Sequence, residues 1–86
     1  MQACLINGVK PLARFGHNLR ECRLEVGLSQ ERLALEAELN RSYVGQVERG
    51  ERNISILNVV KLARAIGCTA SRLVAGLELD EDINSS

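Results

Sequence analysis

Aromatic residues are nearly absent from this 86-residue chain, which has one Phe, one Tyr and no Trp. A core of the modest size that such a chain can form must therefore be built from Leu, Val, Ile and Ala. The folding of so small a domain is marginal, so a partner subunit would add stability.

Paired cysteine motifs and long apolar runs are also missing. The three cysteines, Cys4, Cys22 and Cys68, show no CxxC spacing, so neither a metal site nor a disulfide framework is expected. Cys22 and Cys68 fall at apolar helix positions and are expected to be small buried side chains. No apolar run approaches the roughly 20 residues that span a bilayer, and no secretory signal is seen. We expect a cytoplasmic protein without membrane contact or cofactor.

The chain is also poor in catalytic groups, with one histidine and no P-loop or other catalytic spacing, so an enzyme is disfavoured. The formal net charge is zero, which at first argues against nucleic acid. However, residues 1–77 carry eleven basic and seven acidic groups, a net charge of +4. Residues 80–86 are predicted to be an acidic disordered tail, which either only solubilises the terminus or has a regulatory or DNA-repelling role.

Apolar periodicity and capping residues predict an all-α chain of five helices. We expect residues 1–10 to form a flexible arm, Pro11 to open the first helix and Gly27 to end it. The predicted N-caps of the other four helices are Ser29, Asn40, Ser55 and Thr69. The inward-facing residues are predicted to be Phe15, Leu19, Cys22, Val26, Leu33, Ala34, Ala37, Val44, Val47, Ile56, Val59, Leu62, Ala63, Ile66, Leu73, Val74 and Leu77.

Residues 27–50 read as two short helices joined by a tight turn, which is the pattern of a helix-turn-helix. At 3.6 residues per turn, the polar residues of the second helix cover an arc of roughly 140°, while Val44 and Val47 point the other way. The arc contains Arg41, Ser42, Gly45, Gln46 and Arg49. Such a helix is typical of a DNA reader, although a solvated surface helix shows the same pattern.

Three side chains of this arc are candidates for reading base edges. Arg41 would fork onto guanine O6 and N7, Gln46 would pair with adenine N6 and N7, and Ser42 can serve either base. Gly45 has no side chain, which would let the helix backbone approach the groove closely.

Residues around this arc are suited to the DNA backbone. Arg49 and Arg52 would hold phosphates, and Asn53 would add a neutral donor. Tyr43 lies between the two walls of the helix. It could donate its hydroxyl to a phosphate, contact a thymine methyl group or pack against the core.

The same segment resembles the Cro and phage-repressor (XRE) family of helix-turn-helix proteins. The resemblance is carried by Leu28-Ser29-Gln30-Glu31, Leu33-Ala34, Ala37, Leu39, Arg41-Ser42-Tyr43-Val44 and Val47-Glu48-Arg49-Gly50, and it continues through 52–55 and 61–67. The resemblance covers about residues 15–77 and implies a compact five-helix, lambda-repressor-like fold, and we expect the DNA-binding and dimerisation domain to span residues 11–79. The run RSYVGQVERGERN is most similar to small regulators, among them the controller proteins of restriction-modification systems.

The resemblance also implies roles for individual residues. Gln30, which opens the second helix, would bind a phosphate, in agreement with the free N–H groups and positive charge of a helix N-terminus. An ion pair between Arg23 and Glu48 would fix the third helix against the first. The family usually has glycine in the turn where this chain has Glu38. A positive φ would cost a non-glycine residue about 1–2 kcal/mol there.

A single recognition helix reads roughly three or four base pairs, so we expect a homodimer on a near-palindromic operator. Half-sites should lie about 34 Å apart or a multiple of it. The expected dimer contacts are Leu73, Val74, Leu77 and Leu79, which would otherwise expose apolar surface or be buried within the monomer. RNA polymerase is a further candidate partner, and no small-molecule ligand is expected.

The resulting prediction is a sequence-specific transcriptional regulator that binds double-stranded DNA. An alternative is an antitoxin or prophage-type repressor that also binds a protein, with the arm or the tail folding on that partner. Copurification of a second polypeptide would favour this alternative. A fold that had lost DNA binding would lack side chains for the groove, and the polar arc argues against that.

Overall fold

The computed structural model describes residues 10–79. Within this range the chain forms five α-helices and no strand: α1 (Lys10–Glu25), α2 (Gln30–Ala37), α3 (Arg41–Glu48), α4 (Ile56–Ile66) and α5 (Ala70–Leu73), followed by a 3-10 turn (Leu77–Leu79). The predicted all-α fold of five helices is confirmed. Lys10, which the sequence places in the arm, already belongs to α1. The rest of the arm with Cys4, and the tail at 80–86, lie outside the described residues.

Four of the helices begin where a side-chain oxygen accepts hydrogen bonds from free backbone N–H groups. At α3, the Asn40 carbonyl oxygen accepts from the backbone nitrogens of Ser42 at 2.7 Å and Tyr43 at 3.3 Å. The other caps are Ser29 on α2, Ser55 on α4 and Thr69 on α5. All four predicted N-caps are therefore confirmed.

The turn between α2 and α3 contains the predicted backbone strain. Glu38 has φ 59° and ψ 43°, in the left-handed region that favours glycine. The next residue, Leu39, donates its backbone N–H to the Ala34 carbonyl at 2.8 Å, which closes the end of α2 as a glycine cap would. The tight turn is kept, and α3 starts at Arg41 two residues later.

The core is aliphatic, as expected, with Phe15 as its one aromatic member among the residues described. Val44 and Val47 of α3 are buried in it, together with Leu33 of α2 and Leu62 of α4. This burial fixes one wall of α3 to the body of the domain. The opposite wall is left for solvent or a partner.

The first helix also holds α3 by a close backbone approach. A Cβ atom added to Gly16 would lie 2.6 Å from the Val47 carbonyl oxygen and 2.7 Å from the Glu48 carbonyl carbon. Only glycine permits this separation between α1 and the end of α3.

Two residues predicted to face inward are exposed instead. Val26 has 51% of its surface exposed, because α1 ends one residue earlier. Ile56 is 79% exposed, since it is the first residue of α4 and its side chain tilts toward the N-terminal end of the helix, beyond the core.

The predicted fifth helix is shorter than the apolar pattern suggested, with four residues before the chain turns. Asn18 of α1 donates its side-chain amide to the Leu73 carbonyl at 2.9 Å and the Ala75 carbonyl at 2.8 Å. Leu73 is completely buried, so its predicted place in a dimer contact is wrong: the folded monomer leaves it no surface. Val74 and Leu77 are half-buried against the core. For Leu79 the structure describes the backbone only, so its predicted dimer contact lies outside the described side chains.

Across residues 10–79, no helix combines the length and the apolar character that a membrane span requires.

Candidate nucleic-acid interface

The outer wall of α3 carries the polar side chains predicted for DNA. Arg41 and Ser42 are exposed and Gln46 is half-buried, while Val44 and Val47 point into the core. Two shallow depressions, of about 550 Å³ and about 270 Å³, flank this wall, and Ser42 and Gln46 border both of them. These two side chains therefore form a ridge. A polar ridge on a helix has the shape and chemistry that enter the major groove.

A buried ion pair fixes the end of α3. Arg23 Nε donates to Glu48 Oε2 at 2.6 Å and its Nη2 donates to Glu48 Oε1 at 3.1 Å, with the two side chains 9% and 4% exposed. Arg23 Nη1 also donates to the Leu28 carbonyl at 2.8 Å. Arg23 and Glu48 thus lie together at the place that the resemblance implied, and they join α1, α3 and the start of α2.

Gln30 adds a third donor to this carboxylate. Its Nε2 donates to Glu48 Oε1 at 2.9 Å. A side-chain amide has two N–H groups, so this bond leaves one N–H for a phosphate. Sequence reasoning missed the contact between Gln30 and Glu48, because the two residues are 18 positions apart and no local pattern joins them.

The structure does not place the backbone of Gly45 at the surface. Gly45 is buried, and a Cβ atom built on it would lie 3.4 Å from Arg49 Nη1 and 3.5 Å from Gln30 Oε1. Those two side chains cover it. The predicted close approach of DNA to the Gly45 backbone would require Gln30 and Arg49 to move aside.

The arginines that follow α3 have partners of their own. Arg49 Nε lies 3.1 Å from Glu51 Oε2 in an exposed ion pair. Arg52 Nη1 donates to Gln46 Oε1 at 3.0 Å, and its guanidinium carbon lies 5.2 Å from the centre of the Tyr43 ring. Arg52 is therefore held beside the ridge by a hydrogen bond and a cation–π contact.

Tyr43 takes the packing role among the three that were considered. Its ring packs against the core, and its hydroxyl accepts a hydrogen bond from Asn58 Nδ2 at 3.0 Å. The hydroxyl also lies 3.4 Å from the Asn53 carbonyl, to which it donates. This ties the loop after α3 to α4. Asn58 was not singled out in the sequence, because only the tertiary fold brings it to Tyr43. The side chain of Asn53 is exposed.

Comparison with known proteins agrees with this geometry. The chain matches the Helix-turn-helix family over residues 19–73. It is 39% identical over 66 residues to the control protein C.MunI from Mycoplasma sp., covering 76% of this chain and 89% of that protein. It is 44% identical over 54 residues to the control protein C.BamHI from Bacillus amyloliquefaciens, covering 62% and 67%. The crystal structure of the restriction-modification controller protein C.AhdI from Aeromonas hydrophila has 53% identity and a TM-score of 0.71, covering 72% of this chain and 94% of that one.

Proposed function

Because this chain belongs to the XRE-type helix-turn-helix family and is a DNA-binding transcriptional regulator rather than an enzyme, we propose that it acts as a homodimer on a palindromic operator. We propose further that it is the controller of a restriction-modification system, as C.AhdI is by name, while C.MunI and C.BamHI are named control proteins. The compartment would be the cytoplasm, where a bacterial regulator meets DNA.

The observation that carries the proposal is the way α3 is mounted. Its apolar wall is held by Val44 and Val47, and its last residue, Glu48, is held by Arg23. A helix held at this wall and end presents Ser42 and Gln46 in a constant orientation. Pre-organised side chains lose less entropy on binding, which favours specific readout.

Base reading is assigned to Arg41, Ser42 and Gln46, whose side chains line the depressions beside α3. Arg41 carries the strongest expectation, because an arginine forks onto guanine in the major groove. Phosphate contacts are assigned to a separate set, consisting of Gln30, Arg49, Arg52 and Asn53. Each arginine removed from that set should flatten the salt dependence of binding by about one unit.

The homodimer follows from the small number of base pairs that one α3 can read. With Leu73 buried, Val74 and Leu77 retain partial exposure near the C-terminus, while Ile56 and Leu57 are 79% and 63% exposed. We propose that Ile56 and Leu57 supply the apolar contact between copies, together with Val74 and Leu77. Leu57→Asp should give monomers by sedimentation at micromolar concentration with unchanged helicity, and a persistent dimer would exclude this surface.

Regulation is proposed to come from the protein's own concentration, through dimerisation and operator occupancy, without a small-molecule effector. RNA polymerase is the proposed partner at the promoter.

Arg41→Ala is the variant that tests the assignment of α3. On a duplex selected from a random library it should cost about 1–3 kcal/mol of binding free energy, and on unrelated duplexes it should cost little. Fluorescence anisotropy at two salt concentrations measures both. The exposed Arg64 of α4 provides a matched control, Arg64→Ala, which should not affect the specific complex selectively. Equal losses on specific and unrelated DNA with Arg41→Ala would show that this arginine touches only phosphate.

A further inference from the structure

The contact between Gln46 and Arg52 changes what the ridge on α3 can read. Arg52 Nη1 lies 3.0 Å from Gln46 Oε1. Since a guanidinium has only donors, the amide atom that faces it must be the oxygen. The orientation of the Gln46 amide is therefore set by the chemistry of its partner, and its Nε2 group is the part turned toward other ligands.

Arg52 is itself held in place, so the contact is more than a chance meeting of two surface side chains. Its guanidinium lies over the Tyr43 ring at 5.2 Å, and the Tyr43 hydroxyl bonds to the carbonyl of the adjacent Asn53. Asn58 of α4 donates to the same hydroxyl at 3.0 Å. These contacts connect the loop that carries Arg52 to both α3 and α4.

This arrangement opposes the expected adenine contact. A glutamine reads adenine by accepting from the N6 amino group through its oxygen while donating to N7 through its nitrogen. At Gln46 one of the two lone pairs of that oxygen already accepts from a cation. An adenine amino group at the remaining lone pair would lie beside the Arg52 guanidinium, so two positively polarised donors would repel each other.

Guanine has the complementary edge, because O6 and N7 are both acceptors in the major groove. Gln46 Nε2 can donate to one of them. A guanidinium has five N–H donors, so Arg52 keeps donors for the other after its bond to Gln46.

On the premise that α3 lies in the major groove, as the proposed function holds, we infer that Gln46 and Arg52 act as one donor-only unit that selects guanine over adenine in each half-site. Gln46 supplies an amide donor, and Arg52 both places a positive charge beside the amide oxygen and supplies a guanidinium donor. Arg52 is thus a specificity-determining residue as well as a phosphate candidate.

Selection from a random duplex library, carried out with the wild-type protein and two variants, tests this inference. Gln46→Ala identifies the position, which is the one in each half-site whose preference disappears. In the wild type that position should be guanine, favoured over adenine on the order of tenfold or more. Arg52→Met keeps an unbranched stem over the Tyr43 ring and removes the donors. It removes the cation beside the Gln46 oxygen, so the preference at that position should move to adenine.

Arg49→Met is the matched control, since Arg49 is an exposed arginine of the same surface that is paired with Glu51 instead of Gln46. It should lower affinity for all duplexes and leave the base preferences unchanged. Circular dichroism of every variant checks that the helices are intact.

Three results would overturn the inference: adenine at the Gln46-dependent position in the wild type, guanine retained there by Arg52→Met, or no position that depends on Gln46. Each of them leaves the proposed function standing, because a motif is still enriched. If the wild type enriches no sequence at all, the proposed function fails, and this inference fails with it.

Discussion

The buried ion pair that holds α3 should make the domain sensitive to a single isosteric change, Glu48→Gln. The Glu48 carboxylate accepts two hydrogen bonds from Arg23 and one from Gln30, at 2.6, 3.1 and 2.9 Å. Replacing it with an amide leaves Arg23, whose side chain is 9% exposed, without a counter-charge. The new amide nitrogen at position 48 would also face the N–H donors of Arg23 and Gln30. Removing one partner of a buried pair costs about 3–5 kcal/mol.

That loss is large beside the total stability of a small domain, about 5–15 kcal/mol. A loss of 3 kcal/mol corresponds to a fall in the thermal midpoint of at least about 12 °C in a domain of this size. Urea unfolding followed by circular dichroism measures it directly, and the dependence on urea should keep its slope because the surface exposed on unfolding is unchanged.

The chain supplies a matched control in Glu51→Gln. Glu51 makes an ion pair of similar chemistry with Arg49, but both side chains are more than half exposed. Pairs of this kind contribute about 0–1 kcal/mol, so the control should be nearly as stable as the wild type. A loss below about 1 kcal/mol for Glu48→Gln would refute the reasoning.

A double variant separates lost charge balance from lost packing. Arg23→Met combined with Glu48→Leu removes both charges and keeps apolar volume, so it should recover most of the stability that Glu48→Gln loses. If the double variant is as unstable as Glu48→Gln, the uncompensated charge is not the cause.

Three further predictions concern other parts of the fold. Gly16→Ala should lower the free energy of unfolding by about 2 kcal/mol or more in a urea titration, because its Cβ would overlap backbone atoms of α3. Gly45→Ala is the control: its Cβ would meet only flexible side chains, so it should not lower the free energy of unfolding. Glu38→Gly should raise the thermal midpoint, because glycine adopts a φ of 59° without the strain of about 1 kcal/mol that a side chain causes there. An unchanged midpoint would show that the turn is not strained. Burial and the nearby Cys22 thiol raise the pKa of Cys68. Its thiolate fraction is therefore smaller than that of a peptide cysteine at the same pH, so mass spectrometry should show slower alkylation by iodoacetamide, with the rate rising as the pH is raised.

The features that could be predicted from the sequence are those set by near neighbours or by the family pattern. Asn40 caps α3 because its oxygen reaches N–H groups two and three residues away. Val44 and Val47 are buried because helical spacing puts them on one wall. The left-handed Glu38 was expected, since the turn needs that backbone conformation whichever residue occupies it.

Periodicity located apolar faces but did not show what covers them. Leu73 has the spacing of a residue available for a partner, yet Asn18 holds its segment against α1 and the monomer buries it completely. Ile56 has the spacing of a core residue, yet α4 begins there and leaves it exposed.

The polar contacts of the interface depend on tertiary neighbours, so no local pattern could reveal them. Gln46 alone looks like an adenine reader, and its bond to Arg52 appears only when the loop after α3 folds back. The partner of the Tyr43 hydroxyl comes from α4.

The central claim, that the ridge on α3 lies against the bases, is tested most directly by following backbone and side-chain NMR signals during titration with the selected duplex. We expect large shifts at Arg41 and Ser42 and at the Gln46 side-chain amide, with little change at Arg64. If those three signals stay in place while the duplex binds, the DNA lies on another surface and α3 does not contact the bases.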